Sequence, residues 1–172
     1  MYAYLAGAAI CACACAGDIR DYKIPNGLIL LGYAVGSFYT YLSQGSRFFP
    51  AFAWNALWPL LLLYFLFYIG ALGASDVKLY SCLTSIVFNS KAALAMIALS
   101  FFIGGVFALV KMLSAGDLLF RLSHLFAHVR LCILKKKPLP YVPVGRCREL
   151  HFAISISISY IIIIFYLSLF RR

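Results

Sequence analysis

Apolar residues run through this chain in long stretches, broken by short polar intervals. The stretches 2–16, 27–42, 49–72, 77–88, 92–113 and 151–170 are almost uninterrupted. Each is predicted to be a helix, because a backbone surrounded by hydrocarbon must satisfy its own polar groups. The third, fifth and sixth are long enough to cross a hydrocarbon core about 30 Å thick. The first, second and fourth are short; the 12 residues of 77–88 rise only about 18 Å as a helix. Either the bilayer thins there, or that helix leans on longer neighbours. Residues 153–160 alternate Ser with apolar residues, as a strand would. They lie inside an apolar run, where a lone strand would leave its backbone unpaired. Serines on a membrane helix can instead donate to the carbonyl one turn back, so a helix is predicted.

Composition strengthens this pattern. The 172 residues are 65% hydrophobic and 12% charged, about half the charge of a soluble domain. A water-facing surface cannot be built from them, which excludes soluble enzymes, disordered tails and secreted disulfide scaffolds. The fold class expected is all-α, a polytopic integral membrane protein of about six transmembrane helices. It forms a single domain over 1–172, with a basic connection at 114–150.

The formal charge of +10 would suggest nucleic acid in a soluble protein. Here the basic residues sit between apolar runs, where they set orientation and meet anionic headgroups. No nucleic-acid partner is expected. With the first polar interval in the cytosol, eleven basic residues fall on that side and four (Arg47, Lys91, Arg171 and Arg172) on the other. The N-terminus is then outside, in a multi-pass protein of the cell membrane. The first run lacks a basic leader and a small-residue cleavage site, so it reads as a retained helix. In the 114–150 connection, Asp117, Arg121, His124 and His128 recur at helical spacing. That suits a helix in the headgroup plane, and a solvated basic loop suits it equally. Lys135, Lys136 and Lys137 would meet anionic lipid, before Pro138, Pro140 and Pro143 break any helix.

Cys11, Cys13, Cys15, Cys82, Cys132 and Cys147 show no paired ligand spacing, nor do His124, His128 and His151. Neither a metal nor a cofactor is expected. Cys11 and Cys15 would share one helical face and Cys13 another.

The chain has five acids: Asp18, Asp21, Asp76, Asp117 and Glu149. Asp18 lies in Gly17-Asp-Ile-Arg-Asp-Tyr-Lys-Ile-Pro-Asn26, and Asp76 in Gly70-Ala-Leu-Gly-Ala-Ser-Asp-Val-Lys-Leu79. Both intervals fall on the same predicted side. A carboxylate at a membrane boundary is costly to hold as an ion, so a function is its default reading. Two neighbouring carboxyls in a partly dehydrated site share one proton. The ionised partner can then deprotonate water while the protonated one polarises a peptide carbonyl, which is metal-free peptide hydrolysis.

These segments resemble the motifs of the type IV prepilin peptidases, membrane aspartic proteases. Asp18, Pro25 and Asn26 fit that family's D-x6-P-[ND] pattern. Gly73, Asp76, Lys78 and Leu79 fit its G-x-G-D-x-K-[LF] pattern. The resemblance implies an aspartic endopeptidase with Asp18 and Asp76 as its catalytic pair. It would cut the leader from prepilin-like precursors at the cytosolic face of the inner membrane, where leader meets hydrophobic helix. The cytosolic insert of the larger bifunctional members is missing, so no methyltransferase domain is implied. The chain resembles the short peptidase-only members associated with Flp/Tad-type pili. It departs from the pattern at Ser75, where glycine is usual and would fold more tightly.

Other readings of these residues stand beside this one. Asp18 would also serve as an N-cap or a headgroup-level charge. Asp21 would share the face of Asp18 if the helix continues, although pairing with Arg20 or Lys23, or solvation, suits it better. Asp76 would suit the dipole at the start of its helix. Lys78 would orient toward headgroups or lower the pKa of a nearby carboxylate, while Pro25 and Gly73 would shape the turns that aim the acids. At the level of function, a presenilin-like intramembrane protease shares the G-x-G-D element but not D-x6-P-N. A transporter or assembly subunit would use the carboxylates for ion coupling or partner contacts.

Overall fold

The computed structural model describes residues 2–21, 23–45, 48–114, 116, 123 and 151–170. They form six helices and no strand: α1 (Tyr2–Asp21), α2 (Asn26–Gln44), α3 (Phe48–Tyr68), α4 (Ala74–Val87), α5 (Ser90–Ser114) and α6 (Phe152–Phe170). The all-α class is as expected. Four stretches are both long and apolar enough to cross a membrane: Ala3–Asp21, Phe48–Tyr68, Ser90–Ser114 and Phe152–Leu169. The first belongs to this group because α1 continues through the polar Gly17-Asp-Ile-Arg-Asp21 segment instead of stopping near Ala16. Six spans were expected, and two of the helices fall short of that description. The 19 residues of α2 include Asn26, Ser37, Thr40, Ser43 and Gln44. The 14 residues of α4 rise about 21 Å.

Helix α4 is enclosed by the other helices. From Leu79 to Val87 every residue is buried, with α2 and α3 as the main neighbours and α1 and α6 also in contact. The face of α2 toward the interior carries Ile29, Gly32, Gly36 and Thr40, at helical spacing. A Cβ on Gly32 would strike Cys82 Sγ, and one on Gly36 would strike Ser85 Oγ. Small residues let two backbones approach closely where lipid supplies no hydrophobic drive for helix association.

Packing of α4 on α3 is polar at a particular point. Pro59 lies inside α3 and has no N–H to give the carbonyl of Asn55, four residues earlier. The Thr84 hydroxyl donates to that carbonyl at 2.9 Å. Ser81 donates to the next carbonyl, of Ala56, and receives the Tyr33 hydroxyl from α2 at 2.7 Å. A carbonyl freed in an apolar interior is thus paired by a neighbouring helix.

The serines of α6 behave as expected. Ser157 donates to Ala153 O at 2.8 Å and Ser159 to Ile156 O at 2.7 Å. Ser157 also sits 3.0 Å from Cys15 Sγ on α1. Cys11 is buried, Cys15 half-buried and Cys13 exposed, the facing expected from their spacing. Asn89 caps α5, its side chain accepting the N–H groups of Lys91 at 3.1 Å and Ala92 at 3.3 Å.

The described chain divides into two compact units. One comprises 1–103 and 151–172, and the other 104–150. Every feature of the candidate site lies in the first. The second holds the end of α5; the expected headgroup-plane helix with Asp117, Arg121, His124 and His128, the lysines 135–137, the prolines that follow and Glu149 lie outside the described residues.

Candidate active site

One end of the first unit collects both motif segments. Asp18 stands in the last turn of α1, so it is not an N-cap. Behind it the chain doubles back closely: a Cβ on Gly17 would lie 3.1 Å from the Lys23 carbonyl oxygen and 3.3 Å from Pro25 Cδ. Glycine at this position leaves room for the return. Pro25 then precedes α2 in extended conformation (φ −64°, ψ 131°), close to the φ its ring enforces. Its carbonyl accepts the Leu28 N–H at 3.0 Å. Asn26 opens α2.

Asp76 occupies the first turn of α4, three residues after the helix-capping residue Gly73. The Asp76 and Val77 N–H groups donate to the Gly73 carbonyl at 3.1 and 3.2 Å, and the Asp76 carboxylate is hydrogen-bonded by the Gly73 backbone. This is half of a capping box, the N3 carboxylate reaching back to the N-cap backbone, since Gly73 has no side chain to complete it. A Cβ on Gly73 would lie 3.1 Å from Asp76 Oδ2, so glycine here spares the carboxylate a close neighbour. Ser75 needs no such allowance. It lies within α4, and among the described non-glycine residues only Phe88 has positive φ. The tight fold that glycine would permit is not used at this position.

Asp76 lies outside the four stretches that qualify as spans, and its surroundings alter its chemistry. Burial pushes its carboxyl up from 3.8 to about 6, the charge of Asp18 pushes the same way, and the Gly73 hydrogen bond opposes both. The two acids are therefore close enough to sense each other although 58 positions separate them (76 − 18). Asp18 is buried, and its Oδ2 has no hydrogen bond. A buried carboxylate oxygen without a donor is costly. Together the pair favours retention of one proton over two full charges.

The remaining motif residues join the same corner. Lys78 Nζ donates to Asn26 Oδ1 at 3.4 Å, a contact that ties the start of α4 to the start of α2. The lysine is engaged by the first motif. Asp21 is exposed, three residues beyond Asp18 on the same helix. The structure thus brings together Asp18, Pro25, Asn26, Gly73, Asp76 and Lys78.

It adds one residue that sequence reasoning passed over. His151, just before α6, places Nδ1 3.0 Å from the Asp18 carbonyl oxygen and 3.7 Å from Asp18 Oδ2. Its spacing from the other histidines suggested no metal, and nothing else in the local sequence marks it. The available signal was topological, since the residue opens the last apolar run on the side predicted for both acids. An aromatic cluster lies nearby: Tyr80 stacks on Phe101 at 6.3 Å and Phe152 packs on Phe101 at 5.5 Å.

Neither a curated protein nor a solved structure matches the chain. The model of the type IV leader peptidase family matches residues 5–109, more than half of the sequence and a range that includes both aspartates and both motifs. The chain belongs to the type IV leader peptidase family.

Proposed function

We propose that this peptidase is an aspartic endopeptidase of the membrane, removing the leader from type IV prepilin-like precursors. The observation that carries the reading is the electrostatic contact of two motif aspartates, one of them with its carboxyl raised to about 6. An acid titrating there can hold a proton where an ordinary carboxyl would not.

Hydrolysis follows from that pair. One carboxylate takes a proton from a water molecule as its oxygen attacks the scissile carbonyl carbon. The protonated partner donates a hydrogen bond to the carbonyl oxygen, stabilising the negative charge that develops there. The tetrahedral intermediate collapses with transfer of a proton to the leaving amine, and the C–N bond breaks. The products are a free carboxyl and a free amine, and the pair ends with the single proton it began with. Such a pair titrates as one unit.

Position favours a substrate that is itself half in the membrane. Asp18 ends one apolar helix and Asp76 begins a buried one, which suits a bond at the junction of a polar leader and a hydrophobic segment. The excess of basic residues on that side favours the cytosolic face of the inner membrane, an outside N-terminus and anionic headgroups around the site. Family membership favours leader peptidase over transporter or assembly subunit. The D-x6-P-N segment favours it over a presenilin-like protease.

Incubating the purified protein with a prepilin in detergent, in the presence of EDTA, tests this reading. The expected product is a pilin cut just before its hydrophobic helix, formed at an undiminished rate. A cut within the hydrophobic segment, or complete loss of activity with the chelator, would contradict the proposal.

A further inference from the structure

The contact between His151 and Asp18 has a direction. The Asp18 carbonyl oxygen can only accept, so at 3.0 Å the hydrogen must reside on Nδ1 of the imidazole. The same nitrogen faces Asp18 Oδ2 at 3.7 Å, beyond a hydrogen bond but within ion-pair reach. That oxygen has no hydrogen bond, and the carbonyl belongs to the last turn of α1, where a donor or a cation is stabilising. Asp76 has a different partner, the Gly73 backbone.

We infer that His151 is a positioning residue for the aspartyl pair: its Nδ1–H holds the last turn of α1 and so sets where the Asp18 carboxylate stands against Asp76. The titratable groups at this corner, besides His151, are Asp18 from α1 and Asp76 and Lys78 from α4, with Tyr80 beyond Asp76. Cys15 lies one turn earlier on α1, against Ala153 and Ser157 of α6. The inference rests on the aspartyl reading proposed above.

Asparagine and glutamine separate this role from mere packing. An asparagine amide nitrogen falls where Nδ1 stands, while that of glutamine falls where Nε2 stands. The full-length protein in detergent is assayed on a prepilin as wild type, His151→Asn, His151→Gln and His151→Leu. His151→Asn is expected to keep kcat within about threefold. His151→Gln and His151→Leu are expected to lose about tenfold in kcat at unchanged KM. Wild-type kcat in His151→Gln and His151→Leu would overturn the inference. So would an equal loss in His151→Asn and His151→Leu, which is the signature of lost packing.

Carboxyl NMR with 13C-labelled aspartate supplies a readout independent of turnover, with signals assigned by Asp18→Asn and Asp76→Asn. At one fixed pH the Asp18 signal should move in His151→Leu and stay in place in His151→Asn; an unmoved Asp18 signal in His151→Leu would overturn the inference. Full processing by Asp18→Asn would bring down the aspartyl reading itself, whereas wild-type kcat in His151→Leu beside an inactive Asp18→Asn would bring down only the role of His151.

Discussion

Lys78 Nζ lies 3.4 Å from Asn26 Oδ1, a hydrogen bond across 52 positions of chain that joins one motif segment to the other. Each partner sits at the opening of a helix whose neighbouring turn places a carboxylate, Asp18 before α2 and Asp76 within α4. The bond is exposed and long, so its contribution to global stability is small, about 0.5 kcal/mol. Its effect should appear in the alignment of the pair. Asn26→Ala and Lys78→Met are each expected to lower kcat about tenfold with little change in melting temperature. The double variant should be no worse than either single one, because the two act through one contact. Fully additive losses in the double-mutant cycle would show that the residues act separately.

The bond from Thr84 to the Asn55 carbonyl exists because Pro59 cannot make it. Thr84→Val should destabilise the protein by about 1–3 kcal/mol, the cost of a buried acceptor left unpaired. In a Pro59→Ala background the helix can supply its own N–H, and the same substitution should cost clearly less. Chemical denaturation of the four proteins in detergent measures the difference. An identical cost in both backgrounds would contradict this account of α3.

Stability should fall as pH rises past the titration of Asp76. Its carboxyl is raised in the folded state from 3.8 to about 6, so the fold binds that proton more tightly than the unfolded chain does. By linkage the contribution is fully present below about 3.9 and is lost as pH rises through about 6. Thermal melts between pH 4 and 7 should show wild type losing stability over that window and Asp76→Asn losing clearly less. Parallel curves would contradict the assigned burial. The same titration predicts an alkaline limb near pH 6 in kcat/KM, which reports the free enzyme.

Much of this was legible in the sequence, and the exceptions have physical causes. Long apolar runs located all six helices of the described residues, because a membrane leaves the backbone little else to do. The end of α1 was not legible: Gly17-Asp-Ile-Arg-Asp21 has the composition of a loop, yet it continues a helix whose last turn is held from outside by His151. The shortness of α4 was visible, but not its enclosure, which depends on Gly32 and Gly36 facing Cys82 and Ser85. The motifs announced six residues of the candidate site. His151 escaped because its partner is a backbone carbonyl 133 positions away, and no local spacing encodes such a contact. Ser75 departs from the family pattern without backbone strain, since the chain is helical there.

Processing of a prepilin by Asp18→Asn and Asp76→Asn, each purified in detergent and shown to be folded by its melt, tests the central claim most directly. Both variants keep the side-chain shape and lose the ability to share a proton, so each is expected to lower the rate by at least about a hundredfold. Normal maturation of the precursor by either variant would contradict the claim that these two carboxyls perform the hydrolysis.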